Sequence, residues 1–404
     1  MKKILLGLVL SFAVLALAAC GQDESAQGVY PDRVVVGNTA ATSGGLAFVG
    51  VPFKAGMDAY FDMINDEGGI AGRTIEYIQY DDEFNAALGL SYTQQLVEDD
   101  EVFALVGHFG TPTVAATREY LNDVGIPRLY YATGVSSLFN LNATGGERGS
   151  FPVQPIFDAE GEVMIARAVK DLQAQRIGVI YSNADDGRGM LRGIQLRAGE
   201  LGVPLASVVQ VAPDADDMST AAQIMLAAEV DVIIVAANQV PAATAVRALD
   251  AAGSTVPIIT SYVNSDATWL NGLVDVVGNF EIYGNAWIDI FDADGNPTDD
   301  YTLFAETIGT EYAANAFAFA GWIAAATFVE GLRRVGEDAL TWEAFIDAME
   351  ESPVALPFGV VVDYADGRRV GTQAMALLKA SKDGDTVLWV TESPIQAIRD
   401  ILED

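Results

Sequence analysis

Short apolar runs alternate with amphipathic stretches along most of this chain, and the beat occurs twice, on either side of one long irregular interval. That rhythm limits the fold more tightly than composition does. Strand-like runs at 33–38, 74–81, 102–106 and 127–131 interleave with helical spacing over 52–67, 86–98 and 112–124, and Gly68-Gly69 stops the first helix. A second array has strand candidates at 176–181, 205–211, 231–236 and 256–260, with helices starting near 160, 187, 218 and 241. Strand, helix and strand in turn require parallel pairing through a right-handed crossover, so each array predicts a doubly wound sheet. Residues 132–155 break the alternation, which predicts two α/β lobes rather than one closed barrel.

The later chain starts no third array. A strand is expected at 280–287, helices from about 298, 313 and 341, and terminal strands at 358–364 and 387–390. Turns are expected at Ala365-Asp366-Gly367 and Lys382-Asp383-Gly384. Residues 312–329 carry no charge, yet Asn315, Gly321 and the many alanines mark a helix packed inside a domain rather than a membrane span. With 51% apolar residues in 404, the chain can fill two cores.

The formal net charge is −34 at pH 7, which argues against nucleic acid and anionic membrane surfaces as partners. The acids fall in short groups, such as Glu98-Asp99-Asp100-Glu101, and read as solvated faces. A saline habitat accounts for such a surface; capture of cationic ligands is the alternative.

The first residues read as an address. Lys2 and Lys3 precede an apolar run that ends in Leu17-Ala18-Ala19-Cys20-Gly21, the three-part grammar of an export signal. The Leu-Ala-Ala-Cys ending resembles the lipobox of bacterial lipoproteins, which implies cleavage after residue 19 and a lipid on Cys20. The mature protein is then expected to be extracytoplasmic and tethered to the cell membrane by its only cysteine, with 20–30 as the tether. An ordinary signal cut at the same place, with Cys20 incidental, is the plainer alternative.

Further on, Asn65-Asp66-Glu67-Gly68-Gly69-Ile70-Ala71-Gly72-Arg73 followed by Tyr80-Asp81-Asp82 resembles a motif pair of branched-chain amino-acid-binding proteins. These are type 1 periplasmic binding proteins that feed ABC transporters. Leu105-Val106-Gly107-His108 and Gly125-Ile126-Pro127 are similar to the same family. The resemblance spans 31 to about 400. It implies an α/β fold of two Rossmann-like, doubly wound parallel-sheet lobes joined by a three-segment hinge, closing on a small ligand. It places crossings near 151–156, 284–288 and 355–358, giving 31–152 with 286–355 as one lobe and 153–285 with 356–404 as the other. Independently, ligands of open α/β sheets lie beyond the carboxyl ends of the strands.

The resemblance also implies a set of ligand residues. Thr111, before Pro112, is expected to cap a helix whose N-terminus receives a carboxylate, or simply to cap it. Ala132, Thr133 and Gly134 align with a second carboxylate contact, with Gly134 standing where the best-known members carry threonine. Phe48 lies in the loop that covers the ligand. On the other lobe Asp186 and Asn238 replace aromatic residues, and Tyr262 falls where a glutamate binds the ammonium of an amino acid. A buried ammonium without an anionic partner costs several kcal/mol, so either Asp186 takes that role or the ligand is an amide, a urea-like molecule or an aromatic acid. Asp185 and Asp186 as a solvated loop pair is the remaining reading.

Catalysis finds few parts. His108 is the only histidine and has no thiol partner, so it reads as structural, and a zinc site is left with carboxylates alone, which suit calcium or magnesium better. Asp292-Ala293-Asp294-Gly295-Asn296 lacks the terminal glutamate of a calcium loop. The expected protein is therefore a monomeric, lipid-anchored, non-enzymatic binding protein without cofactor or metal. It is expected to capture a small ligand, an amino acid of branched-chain type or a related amide, urea-like molecule or aromatic acid, by hinge closure and present it to ABC permease subunits. The alternative is a ligand-sensing receptor of the same fold.

Overall fold

The computed structural model describes residues 26–291 and 296–403, so Cys20 and its leader, most of the tether and most of the 292–296 loop lie outside it. In the first lobe, β1 (Arg33–Ala40), α1 (Ala47–Asp66), β2 (Thr74–Asp81), α2 (Ala86–Glu98), β3 (Ala104–Val106), α3 (Thr111–Val124), β4 (Arg128–Leu129) and β5 (Ser150–Phe151) follow one another. They form a fully parallel sheet in the order β2-β1-β3-β4-β5. The fifth strand sits within the stretch expected to be irregular. It is two residues long, too short to show a period.

The second lobe runs α4 (Phe157–Lys170), β6 (Ile177–Ser182), α5 (Asp185–Leu201), β7 (Leu205–Val211), α6 (Ser219–Ala227), β8 (Val232–Ala236), α7 (Val240–Ala251), β9 (Ile258–Thr260), α8 (Ala267–Asn271) and β10 (Ile282–Ala286). After β10 the chain returns to the first lobe with α9 (Asp299–Ile308), α10 (Ala316–Val335) and α11 (Trp342–Glu350). A small antiparallel pair follows, β11 (Val354–Ala355) with β12 (Val361–Val362). The second sheet is completed by β13 (Ala374–Asp383) and β14 (Thr386–Ala397), before α12 (Ile398–Glu403). Its order is β14-β13-β10-β9-β8-β6-β7, with β13 antiparallel to both neighbours.

Three expectations are corrected here. Residues 358–364 contribute only the two residues of β12 to a strand, because Phe358 turns with φ 62° and packs against Phe304 and Phe319 of the first lobe. The third passage between lobes accordingly lies near 370–373 rather than 355–358: Arg369 still exchanges backbone hydrogen bonds with Asn140, and Thr372 N–H then donates to Val153 O beside the first passage. The strand at 387–390 is part of a longer hairpin, whose partner β13 passes from buried at 375–377 to exposed at 381–383 and so shows no single period.

Helix α10 crosses no membrane; it is buried along most of its length against α1. Glycines let the two backbones touch: a Cβ on Gly56 would lie 2.0 Å from Ala318 O, and one on Gly321 1.9 Å from Phe53 O. The same device joins α4 to α5 in the other lobe, at Gly161 and Gly193. No described helix is long and apolar enough to span a bilayer.

Candidate functional site

The carboxyl ends of both sheets face one another across a cavity of about 550 Å3. Each wall is set by a short loop between strand and helix, held by buried polar groups. On the first lobe Asp82 is completely buried and accepts from Thr39 Oγ1 (3.0 Å), Thr113 Oγ1 (2.8 Å) and Phe84 N–H (2.9 Å). It ties β1 and the loop after β2 to the start of α3. Asp81 accepts from the N–H groups of Thr42, Ser43 and Glu83, which hold its carboxyl below its ordinary range despite some desolvation. The Asp-Asp pair thus shapes the loops of the wall.

Thr111 and Thr133 stand side by side on that wall, their hydroxyls 2.7 Å apart. Thr111 is not the cap of α3: Gly110 occupies that position, with φ 85° and no side chain to bond, and Pro112 sits in the first turn. The backbone beyond is already engaged. Gln154, oriented so that its amide oxygen accepts from Thr133 N–H and Gly134 N–H (3.1 Å each) and from Tyr262 Oη (3.0 Å), donates from its nitrogen to Tyr130 Oη (3.2 Å). This residue lies in the first passage between lobes and was not anticipated; no periodic signal marks a glutamine in an irregular segment.

The expected residues divide accordingly. Thr111, Ala132, Thr133, Asp186, Asn238 and Tyr262 come together on the cavity wall, although they derive from five different loops or element ends. Gly134 stands behind it, packed so that a Cβ would lie 2.4 Å from Pro155 O and 2.8 Å from Tyr262 Oη. Phe48 is 40% exposed and meets Phe317 edge-on at 6.5 Å, so it covers the neighbour of the cavity instead of the cavity. Val49, one residue on, turns inward. Apolar lining comes mostly from residues the sequence did not single out: Phe53, Phe109, Phe157, Trp287, Phe317 and Ile323. Trp287 approaches both Tyr130 and Tyr262, at 6.4 and 6.5 Å between ring centroids.

On the second lobe the wall is charged. Asp185 is exposed and pairs with Arg188 at 2.5 Å, while the Arg188 guanidinium also donates to Asn183. Asp186, half-buried, has no cationic side chain bonded to it among the described residues, and burial raises its pKa above the ordinary carboxylate value, against donation from Gly187 N–H and the Arg188 charge. The amide oxygen of Asn238 is buried without a partner among the described residues. Next to it Gln239 adopts φ 53°, ψ −112°, a strained conformation costing on the order of 1–3 kcal/mol. It is fixed by Asn264 Oδ1, Val263 O and Trp269 Nε1.

Tyr262 is positioned from behind by Glu160. That carboxyl is completely buried, accepts from Tyr262 N–H (2.7 Å), Ser261 Oγ (2.9 Å) and Asn285 Nδ2 (3.2 Å), and burial pushes its pKa up to about 7. His108 is buried behind the first wall, bonded to Thr117 Oγ1 at 2.7 Å, and burial holds its pKa down at about 3, so it stays neutral. It does not reach the cavity.

A family model described as periplasmic binding protein matches residues 33–385. The chain belongs to that family. Among relatives, an amino acid binding protein of Pseudomonas aeruginosa is 26% identical over 170 residues, 42% of this chain and 44% of that protein, so the match spans less than half of either. The fold is shared with a branched-chain amino acid ABC transporter protein of Thermus thermophilus with bound valine, at TM-score 0.77 and 14% identity over 93% of this chain and all of that one. It is shared equally with a fatty acid ABC transporter substrate-binding protein of Thermomonospora curvata, at TM-score 0.76 and 18% identity over 94% and 96%. Type 1 periplasmic binding proteins of this kind consist of two α/β lobes, which is the architecture found here.

Proposed function

We propose that this protein is an extracytoplasmic solute-binding protein that captures a small amphipathic ligand bearing an ammonium group and presents it to an ABC permease, with Cys20 as its lipid anchor. The supporting observation is the shared cavity: residues of both lobes and of the passages line one space, so a ligand there is buried from both sides and favours closure by differential binding. The aromatic lining suits an apolar body larger than a few methyl groups. Arg188 is committed to Asp185 and Asn183, which leaves the Asp186 carboxylate as the charge a ligand meets. An ammonium near Asp186 is therefore favoured over a lone carboxylate. The Thr111 and Thr133 hydroxyls suit a second polar group.

A matched series of one apolar body tests this: phenethylamine, L-phenylalanine and 3-phenylpropanoate, followed by thermal unfolding of the full chain carrying Cys20→Ser. Compounds with an amine should raise the midpoint, by about 2.7 kcal/mol of stabilisation at one hundred times Kd. Binding of the acid alone would overturn the ammonium assignment and keep the capture reading. If no member of this series, nor a wider set of amides and ureas, shifts the midpoint, the capture reading fails.

A further inference from the structure

Behind the cavity wall, one hydrogen bond crosses from lobe to lobe without involving a ligand-facing atom. Asp266, which follows the loop carrying Tyr262 and Ser265, is 1% exposed. Its Oδ1 caps α8 by accepting from Thr268 N–H (2.8 Å) and Trp269 N–H (3.0 Å), within its own lobe. Its Oδ2 accepts from Ala316 N–H at 3.2 Å, and Ala316 is the first residue of α10 in the opposite lobe. Asn315 caps the next two N–H groups, of Phe317 and Ala318, so the Asp266 carboxylate supplies the acceptor that the cap of α10 leaves out.

We propose that Asp266 is an affinity-determining residue outside the ligand cavity, a latch that holds the closed arrangement by placing its carboxylate on the N-terminus of α10. The inference rests on the two-lobe capture reading and adds what fixes the depth of closure. Three features support it. The bond joins the α8-capping carboxylate of the second lobe directly to the first residue of α10 in the first lobe, beside the second passage, where Ser265 Oγ donates to Asn285 O at 2.6 Å. A carboxylate at the amino end of a twenty-residue helix gains from both the hydrogen bond and the helix dipole. Its second oxygen is anchored by α8, so its position in the second lobe is fixed before closure and little side-chain freedom is lost on engagement. No ligand atom takes part in this bond, so the latch acts on the lobe equilibrium itself. The neighbouring α10 residues Ala316, Phe317, Ala320 and Ile323 line the cavity, which couples the latch to the ligand through one rigid helix.

Two variants remove the two ends of the bond separately. Asp266→Asn leaves an oxygen to cap α8 and turns a donor toward Ala316 N–H. Ala316→Pro removes the N–H at the first helical position, where proline is tolerated, and Asn315 already has the extended backbone (φ −94°, ψ 120°) that precedes proline. Single-molecule energy transfer on the ligand-free full chain, with Cys20→Ser and labels at exposed Glu67→Cys and Gln223→Cys in opposite lobes, reads the closed fraction. Each variant should lower the closed-to-open ratio by about fivefold to thirtyfold, and the double variant no further than the more severe single one. In the presence of whichever series member binds, the ligand dissociation rate should rise by a similar factor while association is unchanged. Equal ratios in wild type and Asp266→Asn, a wild type with no closed population, or effects of the two substitutions that add would overturn the latch. None of these results depends on the series finding a ligand, so failure of the capture reading is recognised separately.

Discussion

The two walls of the cavity are built on the same strand–loop–helix plan but resolve their polar groups differently. On the first lobe, almost every donor and acceptor is bonded within the protein: Thr111 with Thr133, the 133–134 N–H groups with Gln154, and Thr113 and Thr39 with Asp82. On the second, among the described residues, Asp186 has no cationic side chain bonded to it and Asn238 holds a buried oxygen without a partner, while Gln239 sits in a strained conformation. A satisfied wall rigidifies; an unsatisfied one has interactions left to give. The first lobe therefore reads as the template and the second as the wall that chooses the ligand's charge.

Substitutions should separate these roles. The largest effect is expected from Asp82→Ala, which strands two buried hydroxyls and an N–H: about 4 kcal/mol lost in chemical unfolding, with ligand affinity failing only through loss of fold. Glu160→Gln probes the second lobe from behind. Because the carboxyl titrates near 7 when folded and near 4.5 when not, its protonated form stabilises the protein fully below about 4.5, and that contribution of about 3 kcal/mol is lost as pH rises through 7. The glutamine variant should lack this fall in stability between pH 5 and 8; an unchanged slope would show that another group is responsible.

Asp186→Asn comes next and should act on binding rather than stability. We expect about a hundredfold weaker affinity for an amine-bearing ligand by calorimetry, little change for a neutral one, and a wild-type affinity that weakens as acid protonates the carboxyl. Equal losses for both ligands would remove the charge pairing and blur the contrast between walls. The smallest effect is expected from Thr133→Val, about 1 kcal/mol, read mostly as stability since the hydroxyl is already bonded to Thr111. A larger loss of affinity than of stability there would mean that the first wall, too, recognises the ligand directly.

Much of this was legible from residues alone. The twofold βα rhythm located both sheets, and the family resemblance pointed to the loops after β3, β4, β6, β8 and β9 as cleft loops, in agreement with the rule that strand ends in such sheets face the ligand. Aromatic and bridging residues were not. Gln154 and Trp287 lie in the passages between lobes, where no period distinguishes an inward from an outward side chain, and Phe317 stands in the first turn of a helix that carries no charge over 316–329. Phe48 and Val49 were exchanged because adjacent residues at a helix start differ by about 100° in direction, which sequence spacing alone does not orient. The third passage was misplaced because β13, buried at 375–377 and exposed at 381–383, carries no single period along its length.

What the sequence determined by itself is the class of architecture, since hydrophobic periodicity is a local property that each strand and helix carries with it. Family motifs such as the Asn65 to Gly72 segment sharpened this by fixing particular turns. What only the tertiary structure decided is which polar groups remain open. Whether Gln154 fills the N–H groups of Thr133 and Gly134, whether Arg188 is spent on Asp185, and whether Asp266 reaches α10 depend on contacts between residues tens to more than a hundred positions apart or on side-chain geometry within a loop. Hydrogen bonding is short-ranged and directional, so its balance exists only once the chain has brought the partners within about 3 Å.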